Sequence, residues 1–245
     1  MTSLISVGNR IRSLKGVVFD LDGTLTLVKF KYNSPLHSTY VNRLKEGLVR
    51  LYGIPRDIIW ESRFLSEIRE KAVCYLEALG APEAHLRRML SFVDSLIDEY
   101  SSRELSSVRL DPEAIHVLNA LRSMALKIGL CTFSSRQVAL RFLRRFNIID
   151  FFDAIVTRTD VLHAKPNPLQ LLTTIESLGL KPSNVMLVSD SLMDVAIGKS
   201  LGLACSVLIT RESTIPYPVM CKPDIVIDRL GILVDLIRGA RDGTP

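Results

Sequence analysis

Two aspartates separated by a single leucine, Asp20 and Asp22 in the stretch VVFDLDGTLT (17–26), close an apolar run just before a glycine. If the extended path continues, positions two apart point to the same side. Carboxylates that close repel unless a cation or a shared proton relieves them. A set of hard oxygen donors favours Mg²⁺, which takes one or two carboxylates together with phosphate oxygens of a substrate. Asp190 and Asp194, in SDSLMD, repeat the theme four apart at the start of a helical pattern, hence on one face. A negative charge complementing a helix N-terminus accounts for Asp194 adequately. It does not account for the DLD pair.

Two further positions matter through their surroundings. Thr132, in CTFSS, ends an apolar run and precedes a helical pattern. Ser134 or Ser135 there suits a helix N-cap, and the same geometry gathers free N–H groups and a hydroxyl around a phosphate. Lys165, in HAKPNP, reads by itself as an exposed loop lysine.

The elements that must position these residues are legible as patterns. Runs rich in Val, Ile and Leu at 16–20, 126–132, 153–157, 184–190, 204–210 and 223–227 alternate with helical periods at 135–146, 167–179, 191–201 and 229–238. Such alternation predicts an α/β fold, a Rossmann-like doubly wound parallel sheet. Ligands of such sheets bind beyond the carboxyl ends of the strands, where Asp20, Thr132 and Asp190 stand, with Lys165 in the loop after another strand. The interval between Thr26 and Asp111 has no strand pattern, and 36–53, 62–80 and 82–100 carry apolar residues at helical spacing. We expect an inserted all-helical cap domain at 29–107, with 1–28 and 108–245 forming the core. Hinges near Thr26–Lys31 and Val108–Pro112 would let it open and close. The last stretch, RGARDGTP, is expected to fray.

Composition narrows the classes. The chain has 245 residues, 47% of them hydrophobic, and a net charge of +5. No apolar run approaches the roughly 18 residues that span a bilayer, and the first fifteen residues lack a secretory pattern. A cytoplasmic protein without a membrane partner is the expectation. The basic residues are dispersed, and the densest cluster, RFLRRF at 141–146, alternates with apolar positions as a solvated helix face does. No nucleic-acid partner is expected. The four cysteines have no metal-binding spacing, and pairing of Cys205 with Cys221 stays open, as does a monomeric or dimeric state.

DLDGT, a strand ending in Thr132, KPNP and SDSLMD, in that order, resemble the four motifs of the haloacid dehalogenase-like hydrolase superfamily. The likeness covers residues 16–28 and about 110–230, and the helical insertion resembles the cap of phosphoglycolate phosphatase-like members. The resemblance implies a magnesium-dependent phosphatase acting on a small phosphorylated metabolite through an aspartyl-phosphate. Asp20 would be the nucleophile, Asp22 the general acid and base, and Lys165 the residue that neutralises charge. Gly23, Thr24, Thr132 and Phe133 would surround the phosphate. Asp20, Asp22 (by its carbonyl), Asp190 and Asp194 would make the metal site.

Three positions depart from the pattern: Ser189 replaces a usual glycine, Phe133 a frequent asparagine, and LTLVKFKYN lacks the aspartate and serine that commonly follow DGTL. The last departure bears on phosphoglycolate as substrate and not on the chemistry. Asp22 argues against a dehalogenase or a phosphonate hydrolase. A sugar phosphomutase would keep every motif residue, and a non-catalytic basic binding protein is the alternative from another class. Within the cap, His37, Tyr40, Arg43, Arg63 and Arg69 are candidate substrate contacts, while Trp60 reads as packing.

Overall fold

The apolar runs pair as six parallel strands: β1 (Gly16–Phe19), β2 (Lys127–Thr132), β3 (Ala154–Thr157), β4 (Val185–Ser189), β5 (Cys205–Ile209) and β6 (Ile225–Ile227). Their order is β3-β2-β1-β4-β5-β6. The computed structural model describes residues 4–27, 34–104, 108–211 and 222–242. Within it the chain winds outward from β1 through β2 to β3, then returns to the far side of β1 for β4. The crevice at that reversal is where a doubly wound sheet binds ligands.

Alternation along the strands sends side chains to two faces. Val17, Phe19, Ile128, Leu130 and Val188 join a cluster with α1 (Leu4–Arg12), α6 (Ala114–Ser123), α7 (Arg136–Arg145) and α10 (Ile232–Asp242). Val18, Cys131, Val185 and Leu187 face the other way, onto α8 (Leu169–Ser177) and α9 (Leu192–Ser200). Neither α1 nor α6 was anticipated from the sequence. The C-terminus also differs: α10 stays helical to Asp242 where fraying was expected from Arg238 onward. Arg241 donates from Nη1 to the Met124 carbonyl (2.9 Å) and from Nη2 to the Leu14 carbonyl (3.2 Å), tying the last turn down.

The insertion is helical. It comprises α2 (Pro35–Tyr52), α3 (Arg56–Ile59), α4 (Leu65–Ala78) and α5 (Glu83–Glu104). Ser34 caps α2 by accepting from the N–H of His37, Pro35 sits in the first turn, and Gly53 ends it at φ +67°. Tyr40, Leu44, Leu48, Ile68, Val73, Met89 and Val93 build a separate apolar core. The two connecting passages lie side by side: Thr26 bridges Leu110, the N–H of Leu27 donates to the Arg109 carbonyl (2.8 Å), and that of Asp111 to the Leu25 carbonyl (2.9 Å). Residues 28–31 of the expected first hinge lie outside the described residues, as does Cys221. Among the described residues no helix is long and apolar enough to cross a membrane.

Candidate active site

Asp20 follows β1 and is held in the crevice by its own N–H, which donates to the Val188 carbonyl of β4 (3.0 Å). Beyond it the chain turns tightly through Leu21–Leu25. Gly23 adopts φ +80°, a left-handed conformation that glycine takes without strain. A Cβ at Gly23 would also stand 2.0 Å from Oδ2 of Asp190, so any side chain would expel that carboxylate. Thr24 anchors the same loop from the other direction: its hydroxyl accepts the N–H of Asp190 (3.0 Å). Arg211 braces the turn, donating to the carbonyls of Gly23 (2.6 Å) and Thr24 (3.2 Å) and pairing with Asp111.

Lys165 reaches this crevice from the loop between β3 and α8. Its ammonium is only 4% exposed and bonds Oδ1 of Asp20 (2.9 Å) and Oδ2 of Asp194 (2.6 Å). Far from being a loop lysine at the surface, it is the one cation that pairs with these carboxylates among the described residues. The Lys165 N–H donates to Gln170 Oε1 (3.0 Å), and Gln170 in turn donates to the Thr132 carbonyl (2.7 Å), so one buried amide ties the lysine loop to the end of β2. Lys165 precedes a cis peptide bond to Pro166.

Asp22 is half-buried and meets different partners. Ser134 Oγ donates to its Oδ2 (2.7 Å). The two serines of CTFSS therefore divide their work: Ser135 caps α7 by accepting from Val138 N–H, and Ser134 turns inward. Thr132 Oγ1 accepts the N–H of Ser134 (3.0 Å), which rounds the loop into a shallow cup with the Phe133 peptide on its rim. On α9, Asp194 is buried and receives the Ser189 hydroxyl (2.8 Å); Ser189 also accepts the N–H of Ser191 (3.1 Å). The serine that replaces a glycine in the motif thus bonds an acid of the cluster. Asp190 lies just before α9, with an open edge to solvent.

Electrostatics make this cluster unusual. Burial pushes Asp20 up to about 7; Lys165 opposes the rise, while Asp194 and Asp22 add to it. Burial also raises Asp22, against Ser134, Lys165 and Arg158. Asp190 is pushed well above the carboxylate range by desolvation and then by Asp20, Asp194 and Asp22. Burial alone would lower Lys165, but Asp194 and Asp20 outweigh it and hold the ammonium well above its ordinary value. Four acids around one lysine leave a deficit of positive charge. Oδ1 of Asp194 is buried and has no hydrogen-bond partner among the described residues. All these donors are hard oxygens, and the missing side chain at Gly23 is what lets the Asp190 carboxylate lie against the loop that carries Asp20 and Asp22. The residues present fit a small divalent cation.

A cavity of about 240 Å³ opens on the Asp22 side, lined by Leu21, Asp22, Val138, Arg141, Phe142, Arg145 and Ser102 of α5. Val138, Arg141, Phe142 and Arg145 form one stripe of α7, three and four residues apart. Among the described residues Arg141 makes no ion pair, and Arg145 stacks on Phe146 (5.1 Å). RFLRRF, read from the sequence as a solvated helix face, is exposed at Arg141 and Arg145, and both side chains also line this cavity.

Of the side chains singled out in the insertion, Tyr40, Arg43, His37 and Arg69 are engaged elsewhere. Tyr40 and Arg43 both bond Glu99, and His37 Nε2 lies 2.9 Å from the Arg63 carbonyl. Arg69, only 1% exposed, donates to the carbonyls of Arg158, Val161 and Leu162 and so grips the core loop after β3. Trp60 lies at the surface of the insertion, under Arg56 (4.4 Å) and Lys45 (5.5 Å). Arg158, which no local pattern marked, is fully buried. It bonds Asp94 (2.9 Å) and Asp98 of α5, and the Phe133 carbonyl (2.9 Å) beside Thr132.

Comparison with known proteins bears on the family and the fold. A family model described as haloacid dehalogenase-like hydrolase matches residues 14–202. The chain is 27% identical to pyrophosphatase PpaX of Bacillus mycoides over 226 residues, 90% of this chain and 95% of that one. A HAD phosphatase from Thermococcus onnurineus, 27% identical, superposes with a TM-score of 0.56 over 93% of this chain and 100% of its own. A predicted phosphoglycolate phosphatase from Haemophilus somnus, 22% identical, shares the fold with a TM-score of 0.59 over 91% of this chain and 98% of its own.

Proposed function

The chain belongs to the haloacid dehalogenase-like hydrolases, and from that premise we propose that it is a magnesium-dependent phosphatase of a small phosphorylated metabolite. The observation that carries the reading is the buried Lys165 bonded to Asp20 and Asp194, with Asp22 beside them on a separate hydrogen bond to Ser134. Two neighbouring carboxylates are thus placed in different environments, the arrangement that lets one attack while the other handles protons.

Asp20 attacks phosphorus: a bond forms from its carboxylate oxygen, and the bond from phosphorus to the leaving oxygen breaks. Lys165 opposes the proton affinity that burial gives Asp20, and a bound cation would add to that effect and favour the carboxylate that attacks. Asp22, whose affinity for a proton is raised, gives one to the departing oxygen. It then takes a proton from the water that attacks the aspartyl-phosphate, which frees Asp20 and releases phosphate. The Thr132 hydroxyl and the Phe133 N–H hold the phosphoryl oxygens, with Gly23 and Thr24 shaping the opposite wall. Asp20, Asp190 and the Asp22 carbonyl would hold Mg²⁺, with Asp194 orienting Lys165. The ion would supply positive charge against that accumulating on the phosphoryl oxygens. The helical insertion, residues 29–107 as a cap on the 1–28 and 108–245 core, closes over this crevice.

Release of phosphate from a panel of small phosphoesters, with Mg²⁺ and with excess chelator, tests the reading. We expect turnover only with Mg²⁺ and an unchanged circular dichroism spectrum under chelation, because strand ends already position the acids. Asp190→Asn should raise the Mg²⁺ concentration for half-activity by roughly 10–100-fold. Full turnover in excess chelator would end the proposal.

The cavity beside Asp22 supports a statement about the leaving group. Asp22 protonates the leaving oxygen, so the leaving group lies on its side, against Arg141 and Arg145. A leaving group bearing a carboxylate or phosphate matches two guanidinium groups. Arg141→Ala should raise KM for such a substrate about 10-fold, the loss of one charge-assisted hydrogen bond. An uncharged alkyl phosphate should change by less than about 2-fold, inside the scatter typical of surface substitutions. Equal changes for the two substrates would place Arg141 outside the binding site.

A further inference from the structure

A second cluster of ligating atoms sits away from the aspartates, where the helical insertion meets the core. Glu70 and Cys74 are four residues apart on one face of α4, and His163 comes from the core loop between β3 and α8. The ligand atoms of Glu70, Cys74 and His163 all lie within 4.8 Å of one another. Glu70 Oε1 collects His163 Nδ1 (2.7 Å), Asn167 Nδ2 (2.8 Å) and the Cys74 thiol (3.8 Å). Its Oε2 is buried with no hydrogen-bond partner among the described residues, on a side chain that is itself almost wholly enclosed. The far nitrogen of His163, Nε2, lies 2.9 Å from Oε2 of Glu77, one helical turn further along α4.

We propose that Glu70, Cys74 and His163 form a site for a thiophilic divalent metal of the zinc type, bridging the helical insertion and the core. Three ligands of different softness, one carboxylate, one thiolate and one imidazole, are the set that Zn²⁺ or Co²⁺ takes and that Mg²⁺ does not. Bond lengths of about 2.0–2.3 Å to a tetrahedral ion put neighbouring ligands roughly 3.3–3.8 Å apart, so closing from the observed spacing needs only side-chain rotation. Glu77 on the remote imidazole nitrogen is the carboxylate partner that fixes a metal-bound histidine. On binding, the protons on the Cys74 sulfur and on His163 Nδ1, which faces Glu70 Oε1, leave for solvent, and the Glu70 carboxylate turns its unpartnered oxygen to the ion; no electron is transferred.

The site has a mechanical consequence. Two ligands belong to the insertion and one to the loop that carries Lys165 two residues later, so an ion there pins the insertion to the core. Opening of that seam would be slowed, and with it turnover. This consequence rests on the phosphatase reading; metal binding itself does not.

Titration of the full-length protein with Co²⁺ in excess Mg²⁺, followed by absorption, separates the two. The expected result is one equivalent bound with a near-ultraviolet thiolate-to-cobalt charge-transfer band and a visible spectrum of tetrahedral type. Cys74→Ser, at an exposed position that should fold normally, should abolish the band. Glu77→Gln should weaken binding about 10–100-fold with the band retained. Asp190→Asn should leave both unchanged. Zn²⁺ should slow phosphate release by the unsubstituted protein and have little effect on Cys74→Ser. Absence of the band, its persistence in Cys74→Ser, or its loss in Asp190→Asn would each overturn the site. A normal band with no slowing by Zn²⁺ would overturn the pinning and leave the metal site standing.

Discussion

Asp20→Asn should lower turnover by about 10⁴–10⁶-fold for every phosphoester, the range seen when a covalent nucleophile is removed. The amide is nearly isosteric, so the loop and the Lys165–Asp194 pair should survive, and thermal unfolding should detect a folded protein. Asp22→Ala should behave differently. In the proposed mechanism its first duty is to protonate a leaving oxygen, which matters most for a poor leaving group such as an alkoxide. An aryl phosphate, whose phenolate departs unaided, should lose far less in that step. General acid catalysis is worth about 10²–10⁴-fold, and the gap between alkyl and aryl substrates should be of that order. Water activation is impaired as well, so the aryl substrate should show a burst of phenolate followed by slow turnover as aspartyl-phosphate accumulates. Equal losses for both substrates without a burst would make Asp22 a structural residue. Ser134→Ala should fall between the unsubstituted protein and Asp22→Ala, since Asp22 keeps its acid function and loses only the 2.7 Å bond that aims it.

The second large effect is expected at Arg158. This side chain is fully buried and spans the seam, with Asp94 and Asp98 of α5 on one side and the Phe133 carbonyl on the other. Its guanidinium also lies 5.5 Å from the centre of the Phe133 ring. Truncation to alanine strands Asp98 at the seam and leaves Asp94 with only Arg69, 3.9 Å away. Breaking a fully buried pair costs roughly 3–5 kcal/mol. Asp94 and Asp98 keep 20% and 31% exposure, so water recovers part of that and about 2–3 kcal/mol is expected. The kinetic effect comes through Phe133. A peptide that holds phosphoryl oxygens and shifts by about 1 Å can lose about 10²-fold in kcat/KM. Because the phosphoryl seat is common to all substrates, alkyl and aryl esters should suffer alike, unlike the Asp22 variant. Arg158→Lys should not restore activity, since an ammonium cannot bond two acids and a carbonyl in one plane. A destabilised variant with unchanged kcat/KM would show that the Phe133 peptide is held by Thr132 and Ser134 alone.

Part of this molecule was legible in its sequence because the relevant physics is local. Strands buried on both faces write continuous runs of Val, Ile and Leu, and the six runs appear as β1–β6 within one or two residues. Helical periods in 36–53, 62–80 and 82–100 correspond to α2, α4 and α5. Asp20, Thr132 and Asp190 were placed at strand ends by that same periodicity, and strand ends of a doubly wound sheet converge. Helix α1 was missed because its nine residues are too few for a periodic pattern to stand out and Gly8 interrupts them. The true end of α10 depends on Arg241 reaching Met124, a residue 117 positions away.

Tertiary structure alone decided the rest. Lys165 and Asp20 are 145 residues apart, Ser134 and Asp22 are 112 apart, and Arg158 and Asp98 are 60 apart. A lysine in HAKPNP has no local feature that tells a buried ammonium between two carboxylates from a solvated one; only the packing of the β3–α8 loop over the crevice makes the difference. Arg141 and Arg145 likewise look like any solvated helix face until the α7 stripe is seen against Asp22 and Ser102. Chain periodicity determined which elements form and which of their ends meet. Which charges lose their water, and so find one another, was set by how those elements pack, because desolvation is a property of the space around a side chain and not of its neighbours in sequence.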